Sequence, residues 1–140
     1  MQPTSHIMPA HLRALPYMSA PQTTWFRGRI SAELARVNAS LEEIRSQFDP
    51  DTAVAIADDN ERASTEEQIA TARGNSDRLT LEAHALNAAL RRIDNAEYGW
   101  CSETGEEIGL DRLVAVPSAV RCIATQEVVE RRRSLYARAA

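Results

Sequence analysis

The residues whose types and spacing bear most directly on chemistry are Cys101 and Thr104, then Cys122 and Thr125. The pattern is C-x-x-T, seventeen residues, C-x-x-T. With cysteine at all four positions this spacing is a four-thiolate zinc ribbon, two knuckles gripping one tetrahedral ion. Here each knuckle keeps its first sulfur and carries a neutral hydroxyl, a poor zinc ligand, in place of its second. No histidine lies within the stretch to replace the lost thiolates. The expectation is a ribbon scaffold with no metal and no need of zinc.

A structural zinc supplies on the order of 10 kcal/mol to small metal-folded domains, so its loss requires another source of order. Ile108, Leu110, Leu113, Val114, Val116, Val120 and Ile123 are the apolar residues available for a core. The threonine hydroxyls can bond to the thiols or to knuckle amides. Ribbon geometry would bring Cys101 and Cys122 close together. Relict packing thiols are the favoured reading of this pair. A redox-responsive pair and a two-sulfur metal site completed by water or another chain are the alternatives. His84 flanks a helical seam and reads as a surface residue. The chain contains no G-x-G-x-x-G, Walker loop, nucleophile elbow or paired-carboxylate cleft, so it is not expected to be an enzyme.

Two helical seams surround this question. Phe26, Ile30, Leu34, Val37, Leu41, Ile44 and Phe48 recur at intervals of 4, 4, 3, 4, 3 and 4, as in a coiled coil. Ile69, Ala72, Ser76, Leu79, Ala83, Leu86, Leu90 and Ile93 repeat the pattern, with Ser76 its one polar interruption. Neither stripe can bury itself alone, so the two are expected to pack together. In an antiparallel pairing of Phe48 with Ile69, Ile44 with Ala72, Val37 with Leu79, Leu34 with Ala83, Ile30 with Leu86 and Phe26 with Leu90, each pair's residue numbers add to the same value to within one. The fold-back then falls at Asp58-Asp59-Asn60, residue types suited to a turn and a helix N-cap. At roughly 1.5 Å per residue, the hairpin would project on the order of 45 Å.

The expected fold is mainly α: a long antiparallel two-helix coiled-coil stalk on a small zinc-ribbon-like base with little β-structure, plus a C-terminal helix. Its parts are an irregular leader at 1–20, a hairpin at 21–96 with its tip near 58–63, a degenerate knuckle at 97–122 and a C-terminal helix at 123–140.

In a chain of 140 residues, 26% charged and only 5% aromatic, composition favours long helices over a sandwich or barrel. The net charge of −4 argues against duplex DNA binding as the main activity. No apolar run approaches the roughly 20 residues needed to span a membrane. The N-terminal stretch lacks a basic-then-apolar signal organisation, and two cysteines without a secretion signal suggest reduced thiols in the cytoplasm.

The stretch A-L-R-R-I-D-N-A-E-Y-G-W-C at 89–101, T-G-E-E-I-G-L-D-R-L at 104–113, P-S-A at 117–119 and C-I at 122–123 together resemble the DksA/TraR family of bacterial transcription factors. Y-M-S-A-P-Q-T-T-W-F-R at 17–27 resembles the start of that family's stalk, and D-D-N-E-R-A at 58–63 resembles its tip motif D-x-x-D-R-A. The resemblance covers roughly residues 17–138.

What it implies is a monomer that binds RNA polymerase rather than DNA or a membrane. The stalk enters the secondary channel, the tip approaches the active centre, and initiation at rRNA and amino-acid promoters changes, with the alarmone ppGpp as co-regulator. Asp58 takes the first tip aspartate, Glu61 stands at the second, and Arg62 and Ala63 match the R-A that follows. Asn75, Asp77 and Arg78 match an N-x-D-R stretch of polymerase contacts. Three positions depart from the family: Val116, Gln126 and Ala85 stand where basic residues serve the alarmone phosphates, and Arg91, Arg92 and Arg121 are nearby charges that could take their place. A TraR-like regulator independent of ppGpp is one alternative reading, and a stalked adaptor or thiol redox sensor is another.

Overall fold

The computed structural model describes residues 6–48 and 59–140. Among them the chain forms a short helix α1 (Ala10–Arg13), two long helices α2 (Ala20–Gln47) and α3 (Asp59–Asp94), and helices α4 (Leu110–Ala115) and α5 (Ile123–Ala139). The only β-pairing among the described residues is a single antiparallel bridge between Trp100 and Glu107. This is the mainly helical fold that the seam periodicity requires. The fold-back at Asp58 lies outside the described residues, as do the side chains of Asp59 and Asn60.

The chain divides into two compact units. One is Met1–Ser31 with Leu86–Ala140; the other is Ala32–Ala85. Within Ala32–Ala85, Val37 of α2 and Ala72 of α3 are buried, while Leu34, Leu41, Ile44, Ile69, Leu79 and Ala83 are half-buried and Phe48, at the end of its seam, is 36% exposed. The 3-and-4 spacing places these residues on one stripe of each helix, which is how a two-helix pair removes apolar surface from water.

In the other unit, Phe26 and Ile30 of α2 are fully buried, and Leu86, Ala89 and Ile93 of α3 are nearly so. Phe26 meets the Tyr98 ring at 5.4 Å and Trp25 at 5.0 Å between centroids. Residues 6–19 carry no helical period beyond α1, but they are firmly bound. Met8 is 2% exposed, and Gln22, just inside α2, is completely buried. Its amide is fully used: Met18 N–H donates to Oε1 at 2.8 Å, and Nε2 donates to the carbonyls of Leu12 and Leu15 at 2.7 and 3.2 Å. A buried polar side chain is tolerable only on such terms.

Helix α3 ends in a Schellman motif. Glu97 N–H returns to the Arg92 carbonyl at 2.8 Å, Ala96 N–H to Ile93 at 3.1 Å, and Ala96 takes a φ of 58°. The chain then enters the knuckle. Of the apolar residues expected to fill the core there, Leu113 and Ile108 are buried, and Leu110, Val114 and Val120 are half-buried. Val116 and Ile123 correct the expectation, being 45% and 57% exposed. Both stand at helix ends, Val116 capping α4 and Ile123 opening α5, where the chain turns and the buried face does not extend. Tyr98, Met8 and Gln22 contribute the burial that these two residues do not.

Candidate functional site

The first knuckle is a tight hairpin. Cys101 N–H donates to the Glu106 carbonyl at 2.7 Å, Gly105 N–H to Cys101 at 2.9 Å, and Ile108 N–H to Gly99 at 2.9 Å. Gly105 turns it at φ 73°, a conformation that an L side chain would strain. The second knuckle leads into α5. Ser102 N–H reaches the Val120 carbonyl at 2.9 Å and ties the two knuckles together. An ion pair at 2.6 Å between Arg121 Nε and Glu103 Oε1 does the same, and Arg112 Nε holds the Arg121 carbonyl at 2.9 Å.

The four residues in ribbon positions converge. Thr125, on the first turn of α5, sets its hydroxyl oxygen 3.1 Å from Cys122 Sγ and 3.7 Å from Cys101 Sγ. Both cysteines are free thiols, Cys101 buried and Cys122 half-buried. Hydrogen bonding from the Thr104 side chain, and then from the Cys122 backbone N–H, lowers the Cys101 thiol from an ordinary 9.0 to about 6. Donors aimed at a sulfur stabilise its charged form. Thr104 Oγ1 also accepts the Glu106 N–H at 3.3 Å.

This donor set does not fit a four-thiolate zinc site. Two of the four positions carry neutral hydroxyls engaged in hydrogen bonds, and among the described residues no group of three or more His, Cys, Asp or Glu side chains is placed to share an ion.

Residues from outside the ribbon pattern complete the knuckle. The Tyr17 hydroxyl donates to the Gly99 carbonyl at 2.6 Å and accepts the Gly109 N–H at 3.0 Å, closing the two ends of the hairpin. The Tyr17 ring meets Trp100 edge-on at 5.3 Å. Burial raises the Tyr17 phenol above its ordinary value. Met18 lies against Gly99, where an added Cβ would come within 2.7 Å of its Cγ and Sδ. The Tyr98 hydroxyl donates to the Pro117 carbonyl at 2.8 Å. Arg92 donates to the carbonyls of Glu97 and Trp100 at 3.2 and 2.5 Å. None of the leader contacts was foreseen; the Y-M pair preceding α2 was their only signal.

The remaining sequence-predicted residues lie apart from this cluster. In Ala32–Ala85, Glu61, Arg62 and Ala63 are exposed on the first turns of α3, and Asp58 lies outside the described residues. Asn75, Asp77 and Arg78 are exposed as well, with Asn75 lining an open groove of about 510 Å³ beside Ile44, Phe48 and Thr71. Arg78 pairs loosely with Glu82 at 3.7 Å. Ala85 is half-buried on α3. Val116 is exposed, and Gln126 on α5 bonds to Glu130 at 2.8 Å. Of the three charges that could replace the missing basic residues, Arg92 and Arg121 are already engaged in the knuckle, while Arg91 is exposed.

The prokaryotic dksA/traR C4-type zinc finger family matches residues 96–131, the span of both knuckles. The RNA polymerase-binding transcription factor DksA of Caulobacter vibrioides is 34% identical over 121 residues, covering 86% of this chain and 84% of that protein. The chain belongs to the DksA/TraR family. The Haemophilus influenzae member, also named RNA polymerase-binding transcription factor DksA, is 31% identical over 128 residues, covering 86% and 83% of the two chains. Among solved structures, transcription factor DksA2 from Pseudomonas aeruginosa superposes with a TM-score of 0.77 at 31% identity, over 89% of this chain and 97% of that one. The two long packed helices of this chain, α2 and α3, thus belong to a fold shared with that structure.

Proposed function

We propose that this chain is a DksA-like transcription regulator that binds RNA polymerase through its secondary channel, presents the hairpin tip to the active centre, and works without zinc. The observation that carries the reading is family membership over most of the chain, shared with proteins named for polymerase binding. The helical hairpin, with exposed Glu61, Arg62 and Ala63 at the start of α3, is a suitable tool for it. An acidic tip can act electrostatically on a magnesium-centred site or its mobile elements. Asn75, Asp77 and Arg78, exposed on α3, supply further polymerase contacts. The protein acts as a monomer in the cytoplasm, neither as an enzyme nor by reading DNA sequence.

Freedom from zinc is supported by the knuckle itself. Its hydroxyls, its inter-knuckle hydrogen bonds and the Tyr17 bridge supply links that an ion would otherwise make.

The target promoters are those of rRNA and amino-acid genes, with ppGpp as co-regulator. A second reading, a TraR-like factor indifferent to the alarmone, is favoured by one observation: Val116, Gln126 and Ala85 offer no charge where phosphates would need it. Transcription in vitro from an rRNA promoter, with a chelator present and with or without ppGpp, tests both. Inhibition strengthened by ppGpp supports the first reading, and inhibition unchanged by it supports the second. No effect under either condition contradicts both. In the same assay Asp58→Asn is expected to reduce inhibition while leaving polymerase binding intact.

A further inference from the structure

The knuckle retains two sulfurs facing one hydroxyl, an arrangement short of the four protein ligands of a structural zinc site but with a chemistry of its own. We propose that Cys101 and Cys122 form a two-thiolate site for a soft monovalent ion of the Cu(I) class. Four observations carry the inference.

Both sulfurs lie within hydrogen-bonding reach of the same Thr125 oxygen, at 3.7 and 3.1 Å, so they share one small space. Their segments are fastened without any ion, through Ser102 N–H to Val120 O and through the Arg121–Glu103 pair. A site assembled in advance loses little ordering entropy on binding. The Thr104 side chain and the backbone N–H groups of Cys122, Glu103 and Thr104 surround Cys101 Sγ and favour its charged form. Such donors offset the negative charge that remains when two thiolates hold one monovalent ion. Finally, Cys101 is 3% exposed while Cys122 is half-buried. An ion can therefore enter past Cys122 and be shielded on the Cys101 side.

Closed-shell Cu(I) and Ag(I) are satisfied by two thiolates, whereas Zn(II), which thiolates also bind, seeks four ligands, so ligand number selects the former. Binding leaves both sulfurs as thiolates, with any thiol proton that Cu(I) displaces passing to solvent and no change of oxidation state.

The test is anaerobic titration of the reduced full-length chain with Cu(I) held by a chromophoric chelator, with Zn(II) titrated in parallel. The expected result is one Cu(I) per chain, drawn from the chelator, and no competition by Zn(II). Cys101→Ser and Cys122→Ser are each expected to weaken binding by more than ~100-fold, beyond the range seen when only an outer partner of a metal ligand is lost. Thr125→Val, which removes only the neighbouring hydroxyl, should weaken binding by ~10–100-fold, less than either serine variant, with the stoichiometry unchanged. Circular dichroism checks that each variant folds. Should a serine variant unfold, alkylation of Cys122 in the folded wild-type chain replaces it and should abolish uptake. Two ions per chain, uptake undiminished in a single-cysteine or alkylated chain, or Zn(II) held as tightly as Cu(I) would overturn the proposal. The experiment does not depend on polymerase binding, so its outcome is separate from the proposed function.

Discussion

The Tyr17 hydroxyl joins the Gly99 carbonyl at 2.6 Å, and the same oxygen takes the Gly109 N–H at 3.0 Å. One side chain from the segment before α2 thus closes both ends of the first knuckle. Tyr17→Phe keeps the ring against Trp100 and removes only the bridge. Gly99 retains its bond from Ile108, but the Gly109 N–H loses its partner. The expected loss is about 1–3 kcal/mol in urea unfolding, the range for a part-buried polar group left unsatisfied. Faster amide exchange at Gly109 would show that the loss arises there.

At the end of α3 a substitution should stabilise. Ala96 occupies the left-handed position of the Schellman motif at φ 58°, where a Cβ is unfavourable and glycine is not. Ala96→Gly is expected to raise unfolding stability by about 1 kcal/mol. Chemical denaturation of the two proteins side by side measures it.

Acid should weaken the fold through Cys101. Hydrogen bonds from Thr104 and the Cys122 N–H hold its folded pKa near 6, below the ordinary 9.0. A depressed folded pKa means that the contribution is complete above the ordinary value and is lost as pH falls through the folded one. Between pH 6 and 9, under reducing conditions, the wild-type unfolding midpoint should rise with pH more steeply than that of Cys101→Ser. Identical slopes would contradict the assignment.

In the proposed tip, Glu61 stands at the position that the resemblance assigns to aspartate and adds one methylene, about 1.5 Å of reach. Since Glu61 is exposed, Glu61→Asp should leave helix content unchanged. Promoter inhibition in vitro is expected to increase with no change in polymerase affinity.

The helical seams were legible because burial on one stripe imposes a period that survives in residue type. Phe26, Ile30, Val37, Leu86 and Ile93 are buried as their spacing requires. Convergence of Cys101, Cys122 and Thr125 was legible because ribbon spacing encodes it. The Tyr17 bridge and the Gln22 network were not. They depend on single polar groups meeting backbone atoms far along the chain, and no periodicity records such a meeting. Val116 and Ile123 were misread for a related reason: apolar character marks what can be buried, while a helix end decides whether it is.

The central claim is that a knuckle with two sulfurs, closed by hydroxyls and Tyr17, supports polymerase binding without zinc. Its most direct test is competition between the chelator-treated full-length protein and a labelled Gre-type cleavage factor for RNA polymerase, repeated with zinc restored. The account predicts displacement of the labelled factor with the same midpoint in both conditions. No displacement, or displacement only when zinc is added, would contradict it.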